Sequence, residues 1–99
     1  MAVQKLTDCL CDPSEWVRRN AAEALGTIGS SAQPAIPELM KAMDDENRYV
    51  RLNALLSLIR IERPVRRSIP ALEKALSHDE YYMPTLAVDA LKRAGIEVQ

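Results

Sequence analysis

The sequence predicts an all-α fold, a short α-solenoid of three helical hairpins containing six helices. The chain repeats itself with a period of 33 residues, and apolar residues within each repeat recur at the spacing of one helix face. The 99 residues are 47% hydrophobic but include no Phe. Aliphatic side chains and Ala must therefore form the core. We expect one domain, residues 1–99, made of repeats 1–33, 34–66 and 67–99.

The 33-residue repeat is carried by matched apolar positions that align without a gap. The matched sets are Val3, Ile36 and Ile69; Leu6, Leu39 and Leu72; Leu10, Met43 and Leu76; Val17, Val50 and Met83; Ala21, Ala54 and Ala87; and Leu25, Leu58 and Leu91. We expect all of these side chains to face the core.

Each repeat is predicted to contain a first helix, A, a polar hinge and a longer second helix, B. The A helices are expected near 2–11, 35–43 and 69–77, and the B helices near 14–29, 47–62 and 81–94. Asp12-Pro13-Ser14-Glu15 predicts an N-cap at Asp12, a proline at the first helical position and a glutamate at the third. Gly and Pro residues punctuate the connections, namely Gly29, Pro34, Pro37, Pro64, Pro70 and Gly95.

A hinge aspartate followed by Val-Arg recurs in the first two repeats, as Asp12 with Val17-Arg18 and Asp45 with Val50-Arg51. Together with the Ile/Val-x-x-Leu helix before it, this pattern resembles the HEAT-like repeats of the phycobilisome-lyase type, over essentially the whole chain. The signatures of ankyrin and TPR repeats are missing.

The resemblance implies that Asp12, Arg18, Asp45 and Arg51 are structural and tie neighbouring repeats into a charge-assisted ladder. An arginine suits this role because its fork can bond a carboxylate and still reach a carbonyl. The third repeat departs from the pattern, with His78 and Pro84 at these positions. It is either a terminal unit or a degenerate repeat of a longer parent protein.

The composition and net charge of the chain argue against several classes of function. A net charge of −1 gives no general attraction to nucleic acid or to an anionic membrane. The amino end lacks the features of a signal peptide, and no apolar run could span a bilayer, so we expect a cytoplasmic protein. Cys9, Cys11 and the single His78 are too few and too scattered for a zinc site. We expect no metal and no cofactor.

The B-helix positions opposite the core stripe are the expected protein-binding face. They fall at 19, 23, 26 and 30 of the first repeat, Gly26 included, and at the equivalent positions of the other two. The predicted partner-binding residues are Arg19, Glu23, Leu52, Leu56, Ile59, Arg63, Asp89 and Lys92. Leu52, Leu56 and Ile59 form an aliphatic patch on the middle helix. Either flanking helices bury this patch, or a partner protein or a second copy of the chain covers it.

Two further groups of side chains have alternative interpretations. Trp16, Tyr49 and Tyr82 begin the three B helices and could bind a peptide or stack bases, although their position beside Val17 favours packing against the neighbouring A helix. A basic cluster could bind phosphate, but Glu62 interrupts it and favours a solvated turn; its members are Arg60, Arg63, Arg66 and Arg67.

The predicted function is a non-catalytic scaffold or adaptor that holds a protein partner on its B-helix face. No spacing of Ser, His and Asp suggests a catalytic triad. One alternative is a subunit or fragment of a phycobilin-lyase-like, chromophore-handling protein, as the resemblance implies. A second is a nucleic-acid-binding module, for which HEAT-like DNA glycosylases are a precedent.

Overall fold

A computed structural model describes residues 2–77 and 82–98, and these ranges contain helices and no strand. The all-α prediction is confirmed for them. The helices are α1 (Ala2–Cys9), α2 (Glu15–Ile28), α3 (Ile36–Ala42), α4 (Arg48–Ile61), α5 (Ile69–Ala75) and α6 (Tyr82–Arg93). Each lies within a predicted A or B helix and ends within two residues of the predicted limits. Helix α4 begins 33 residues after α2, and α5 begins 33 residues after α3.

The two hinges that precede α2 and α4 are built in the same way. The Asp12 carboxylate accepts the Ser14 N–H at 2.9 Å, and the Asp45 carboxylate accepts the Asn47 N–H at 2.9 Å. Ser14 and Asn47 then cap their helices, accepting the N–H groups of Val17 and Val50 respectively. The prediction that Asp12 is the N-cap was wrong by two residues, because its side chain is used to turn the hinge.

The connection from α2 to α3 is more ordered than the sequence indicated. Residues Gly29–Ala35 form a 3₁₀ helix, and Ala32 and Ala35 within it are fully buried. Gly29 adopts a φ of 79°, a conformation that side-chain-bearing residues rarely take, so it ends α2 as predicted.

Helices α2 and α4 make the most extensive helix–helix contact in the described residues. The contacts Arg18–Asp45 and Ala22–Ser57 follow the same order along both segments, which indicates that the two helices run parallel. Ser57 Oγ of α4 donates a hydrogen bond to the Ala22 carbonyl of α2. Gly26 faces Ser57 so closely that an added Cβ would lie 2.9 Å from the Ser57 Cβ. Gly26 is therefore buried, and its predicted outward position was wrong. A glycine lets the two backbones approach at this point.

The core is aliphatic, as the composition predicted, and includes Leu25, Leu58 and Leu91, which are fully buried. Val17 is the exception among the B-helix members of the matched sets. Its side chain is 36% exposed, whereas Val50 and Met83 are both 0% exposed. Val50 and Met83 belong to hairpins that follow another hairpin in the chain, whereas Val17 belongs to the first described hairpin.

None of the helices in the described ranges combines the length and the apolar character that a bilayer crossing requires.

The Gly26–Ser57 contact predicts that Gly26→Ala destabilises the protein although alanine is the better helix former. Replacing Gly gains about 1 kcal/mol of helix propensity, while overlap with Ser57 costs about 1–3 kcal/mol. We expect a net loss of roughly 1 kcal/mol in the free energy of unfolding, measured by urea denaturation. Thr27→Ala, at the exposed next position of α2, is the control and should be neutral or stabilising. Equal effects of the two substitutions would show that the helices can move apart freely.

Candidate functional site

Arg18 and Asp45 join the first and second hairpins through a mostly buried ion pair. Arg18 Nε lies 2.9 Å from Asp45 Oδ2 and its Nη2 lies 3.2 Å from Oδ1, so both carboxylate oxygens are bonded. The two side chains are 11% and 12% exposed. Arg18 Nη1 also donates to the carbonyls of Asp12 at 2.9 Å and Pro13 at 3.1 Å. One guanidinium therefore fastens its own hinge to the hinge of the next hairpin.

The electrostatics of this pair keep the arginine charged. The hydrogen bond to the Asp45 side chain, together with the charge of that carboxylate, raises the pKa of Arg18 above its ordinary value, although burial acts in the opposite direction. Arg51 repeats part of the arrangement, since its Nη1 donates to the Asp45 carbonyl at 2.8 Å. The contacts lie where the ladder of Asp12, Arg18, Asp45 and Arg51 was expected, and its structural role stays a prediction. His78 lies outside the described residues.

Trp16, Arg19 and Tyr49 form an exposed aromatic–cation cluster at the starts of α2 and α4. The Arg19 guanidinium carbon lies 5.3 Å from the Trp16 ring centre and 4.7 Å from the Tyr49 ring centre. Trp16 is 65% exposed and Tyr49 is 47% exposed. The prediction that these two rings pack against a neighbouring A helix was wrong, because the long Arg19 side chain reaches between them instead. Tyr82 differs, being half-buried and packed against the core.

The aliphatic patch on α4 divides into two parts. Ile59 is half-buried and packs against the buried core. Leu52 and Leu56 are also half-buried, but they lie outside that core cluster in the described residues. The patch is therefore smaller and less exposed than predicted, since it comprises Leu52 and Leu56 with Ile59 turned inward. Ile59 occupies the position equivalent to Gly26, which explains why both face a neighbouring hairpin.

The remaining predicted partner-binding residues are polar and lie on either side of Leu52 and Leu56 along the chain. Glu23 of α2 is exposed, and Arg19 is half-buried between its two aromatic rings. Asp89 and Lys92 of α6 are exposed, and the Asp89 carboxylate pairs with Arg93 at 3.2 Å. These four charged residues belong to α2 and α6, the second helices of the first and third hairpins.

The basic cluster surrounds a turn that is organised by Glu62. The buried Glu62 carboxylate accepts the N–H groups of Arg66 and Arg67, each at 2.7 Å, and lies 3.9 Å from the Arg67 side chain. Sequence reasoning treated Glu62 only as an interruption of positive charge. The guanidinium groups of Arg60, Arg63, Arg66 and Arg67 belong to exposed residues. Arg63 also lines a cleft of about 360 Å³ between the end of α4 and α6.

The described residues contain no cluster of three or more His, Cys, Asp or Glu side chains that could hold a metal ion. Cys9 and Cys11 are both free thiols, half-buried and exposed respectively.

Comparison with known protein families gives one finding for this arrangement. Residues 17–45 match the family model of the PBS lyase HEAT-like repeat. The matched segment begins at Val17-Arg18 and ends at Asp45, so it contains both partners of the ion pair. The predicted resemblance is confirmed for that segment. No curated protein matches the chain.

The Arg18–Asp45 geometry predicts that Arg18→Gln lowers the free energy of unfolding by about 2–4 kcal/mol, because a nearly buried carboxylate loses both of its charged hydrogen bonds. Arg18→Lys should lower the free energy of unfolding by less than Arg18→Gln does. Lysine keeps the positive charge but cannot bond both carboxylate oxygens as the planar guanidinium does. Urea denaturation followed by circular dichroism measures both. A loss below 0.5 kcal/mol for Arg18→Gln, roughly that of a surface pair, would mean that water screens the contact.

The aromatic–cation cluster predicts a local effect of Arg19→Gln on the single tryptophan. Removing the guanidinium uncovers one face of Trp16, so acrylamide should quench its fluorescence more strongly, while stability falls by no more than about 1 kcal/mol. Arg48→Gln is the matched control, because the Arg48 guanidinium lies over Tyr49, at 5.7 Å from that ring centre. Both variants giving the same quenching change would contradict a direct Arg19–Trp16 contact.

Proposed function

We propose that this chain, in which residues 17–45 match the PBS lyase HEAT-like repeat, is a short HEAT-like solenoid that holds a protein partner and has no catalytic activity of its own. The solenoid comprises three stacked hairpins, α1–α2, α3–α4 and α5–α6, with a 33-residue period. Equal offsets between α2 and α4 and between α3 and α5 support this architecture. So does the Arg18–Asp45 pair, which ties one hairpin to the next.

The proposed binding face is centred on Leu52 and Leu56 of α4, and these two half-buried leucines are the observation that carries the proposal. They sit outside the core cluster of the described residues, so a partner could remove their remaining apolar surface from water. The proposed rim of this face comprises charged residues of α2 and α6, namely Arg19, Glu23, Asp89 and Lys92. An apolar centre with a charged rim is the usual anatomy of a protein–protein interface.

The aromatic–cation cluster adjoins the proposed face, because Tyr49 and Leu52 are three residues apart on α4 and so share one side of that helix. Trp16 and Tyr49 are exposed, and Trp, Tyr and Arg are the residue types that contribute most to binding energy at protein interfaces. The two free cysteines suit a reducing compartment, so the proposal includes a cytoplasmic location.

A photo-crosslinking experiment tests the proposed face. A photoreactive phenylalanine analogue is placed at Leu52 or Leu56 and, as controls, at Lys5 and Glu73, which are exposed on the A helices α1 and α5. In extracts of the source cells, positions 52 and 56 should yield one defined adduct that the controls do not. The double variant Leu52→Asp/Leu56→Asp should reduce its capture by an affinity-tagged chain at least tenfold, with an unchanged urea midpoint.

Other outcomes would overturn parts of the proposal. If the double variant loses stability but still captures the same protein, the leucines belong to the interior. An adduct of twice the chain mass would make the partner a second copy. A bilin whose absorbance shifts when the purified chain is added would favour the chromophore-handling alternative.

A further inference from the structure

The outer face of the first hairpin carries the side chains that the second hairpin buries. Val17 is equivalent to Val50, and Ile28 to Ile61. Val17 and Ile28 are 36% and 38% exposed, whereas Val50 and Ile61 are 0% and 2% exposed. Val50 and Ile61 belong to α4, which stacks against α2. The first hairpin therefore has the apolar surface of a hairpin that stacks on a preceding one.

The small residue at the centre of this face fits the same comparison. Ala24 is half-buried and occupies the position of Ser57, the residue that touches Gly26 and the Ala22 carbonyl across the α2–α4 contact. A small side chain at this position permits the close approach of two helices that α2 and α4 display. Ala24 leaves room for an equally close neighbour.

The hinge of the first hairpin also carries a carboxylate, Asp12, at the position where Asp45 of the second hairpin pairs with Arg18. Asp12 and Asp45 turn their hinges with the same hydrogen bond, but only Asp45 receives a guanidinium from the hairpin before it. Within the described ranges, no cation takes the corresponding place at the Asp12 carboxylate. Asp12 is thus set up as one half of an ion pair of the Arg18–Asp45 type.

We propose that Asp12, Val17, Ala24 and Ile28 form a stacking face for a helical hairpin of a partner protein, distinct from the proposed face around Leu52 and Leu56. The partner's second helix presents an arginine to Asp12 and a glycine or alanine to Ala24, as α2 presents Arg18 and Gly26 to the second hairpin. This occupant follows from continuity, because the same surface one repeat later is covered by such a hairpin.

A second copy of this chain docking through its carboxyl-terminal hairpin is a poorer complement. Pro84 stands at the position of Arg18 and offers no guanidinium. Lys92, an exposed residue, stands at the position of Gly26 and is too large for close helix approach.

A tethered stand-in for the partner tests this face with the full chain intact. A copy of residues 1–33 is joined directly ahead of Met1, which preserves the 33-residue register and supplies a second Arg18 and Gly26. The extended chain should unfold in a single urea transition with a higher midpoint and a larger m-value than the parent, because more surface is buried.

The ion pair is tested by a double-mutant cycle in the extended chain. In the extended chain, the substitution of the added arginine by Gln should raise the unfolding equilibrium constant at least tenfold, and so should Asp12→Asn. The two substitutions together should raise this constant little more than either one alone. In the parent chain, Asp12→Asn is the matched control and should change this constant less than threefold, because Asn can still accept the Ser14 N–H.

Several results would overturn the assignment. The added repeat could unfold in a separate transition at low urea, or Asp12→Asn could act equally in both backgrounds. Alternatively, the parent could sediment as a dimer that Val17→Asp dissociates, in which case the occupant is a second copy. Because none of these measurements involves Leu52 or Leu56, the stacking face and the proposed function stand or fall separately.

Discussion

The alignment of α2 with α4 is the constraint on which the first two hairpins depend, and two different contacts fix it. The Arg18–Asp45 ion pair acts where the two helices begin, and the Gly26–Ser57 contact acts nearer to their ends. The ion pair sets the register because two guanidinium nitrogens of Arg18 must each bond one carboxylate oxygen of Asp45. The glycine sets the distance because only a missing Cβ allows the backbones to come so close. Either contact alone would leave one end of the pair free to slide or to separate.

The ion pair acts more on geometry than on net stability. Removing two charges from water is costly, and an aliphatic pair of similar volume can be equally stable. Aliphatic side chains form no directional bonds, however, so they would not select one relative arrangement of the two hinges. Arg18 bonds the Asp12 and Pro13 carbonyls of its own hinge as well as the Asp45 side chain, so its charge is satisfied in a single relative arrangement of the hairpins. The resemblance to HEAT-like repeats implied a ladder of these residues, and the structure places Arg18 and Asp45 in contact.

Most of the helical architecture could be predicted because periodicity reports directly on which residues share a helix face. The failures occurred where a neighbouring element decides the outcome. Gly26 was placed on the free face because a helical pattern cannot show that another backbone approaches it. The position of Trp16 and Tyr49 beside valines predicted packing against a neighbouring helix. That position does not reveal that the Arg19 side chain reaches between the two rings.

Glu62 was missed for a related reason. Its carboxylate accepts two backbone N–H groups four and five residues further on, and such a contact depends on the path of the turn rather than on residue type. The same holds for the 3₁₀ helix Gly29–Ala35, where Gly and Pro indicated an irregular connection but buried alanines anchor it to the core. A hydrogen bond between a backbone group and one distant or turn-specific partner produces no recognisable pattern in a single sequence.

The second hairpin contacts the third differently from the way it contacts the first, and two residue differences between the repeats lie at this contact. Ile59 replaces Gly26 in the equivalent position, and Ala90 replaces Ser57. A branched side chain cannot allow the close backbone approach that glycine permits, and both residues line the cleft of about 360 Å³ between α4 and α6. The α4–α6 contact is therefore open where the α2–α4 contact is closed. Leu52 and Leu56, the centre of the proposed binding face, lie on α4, the helix that these two unlike contacts flank.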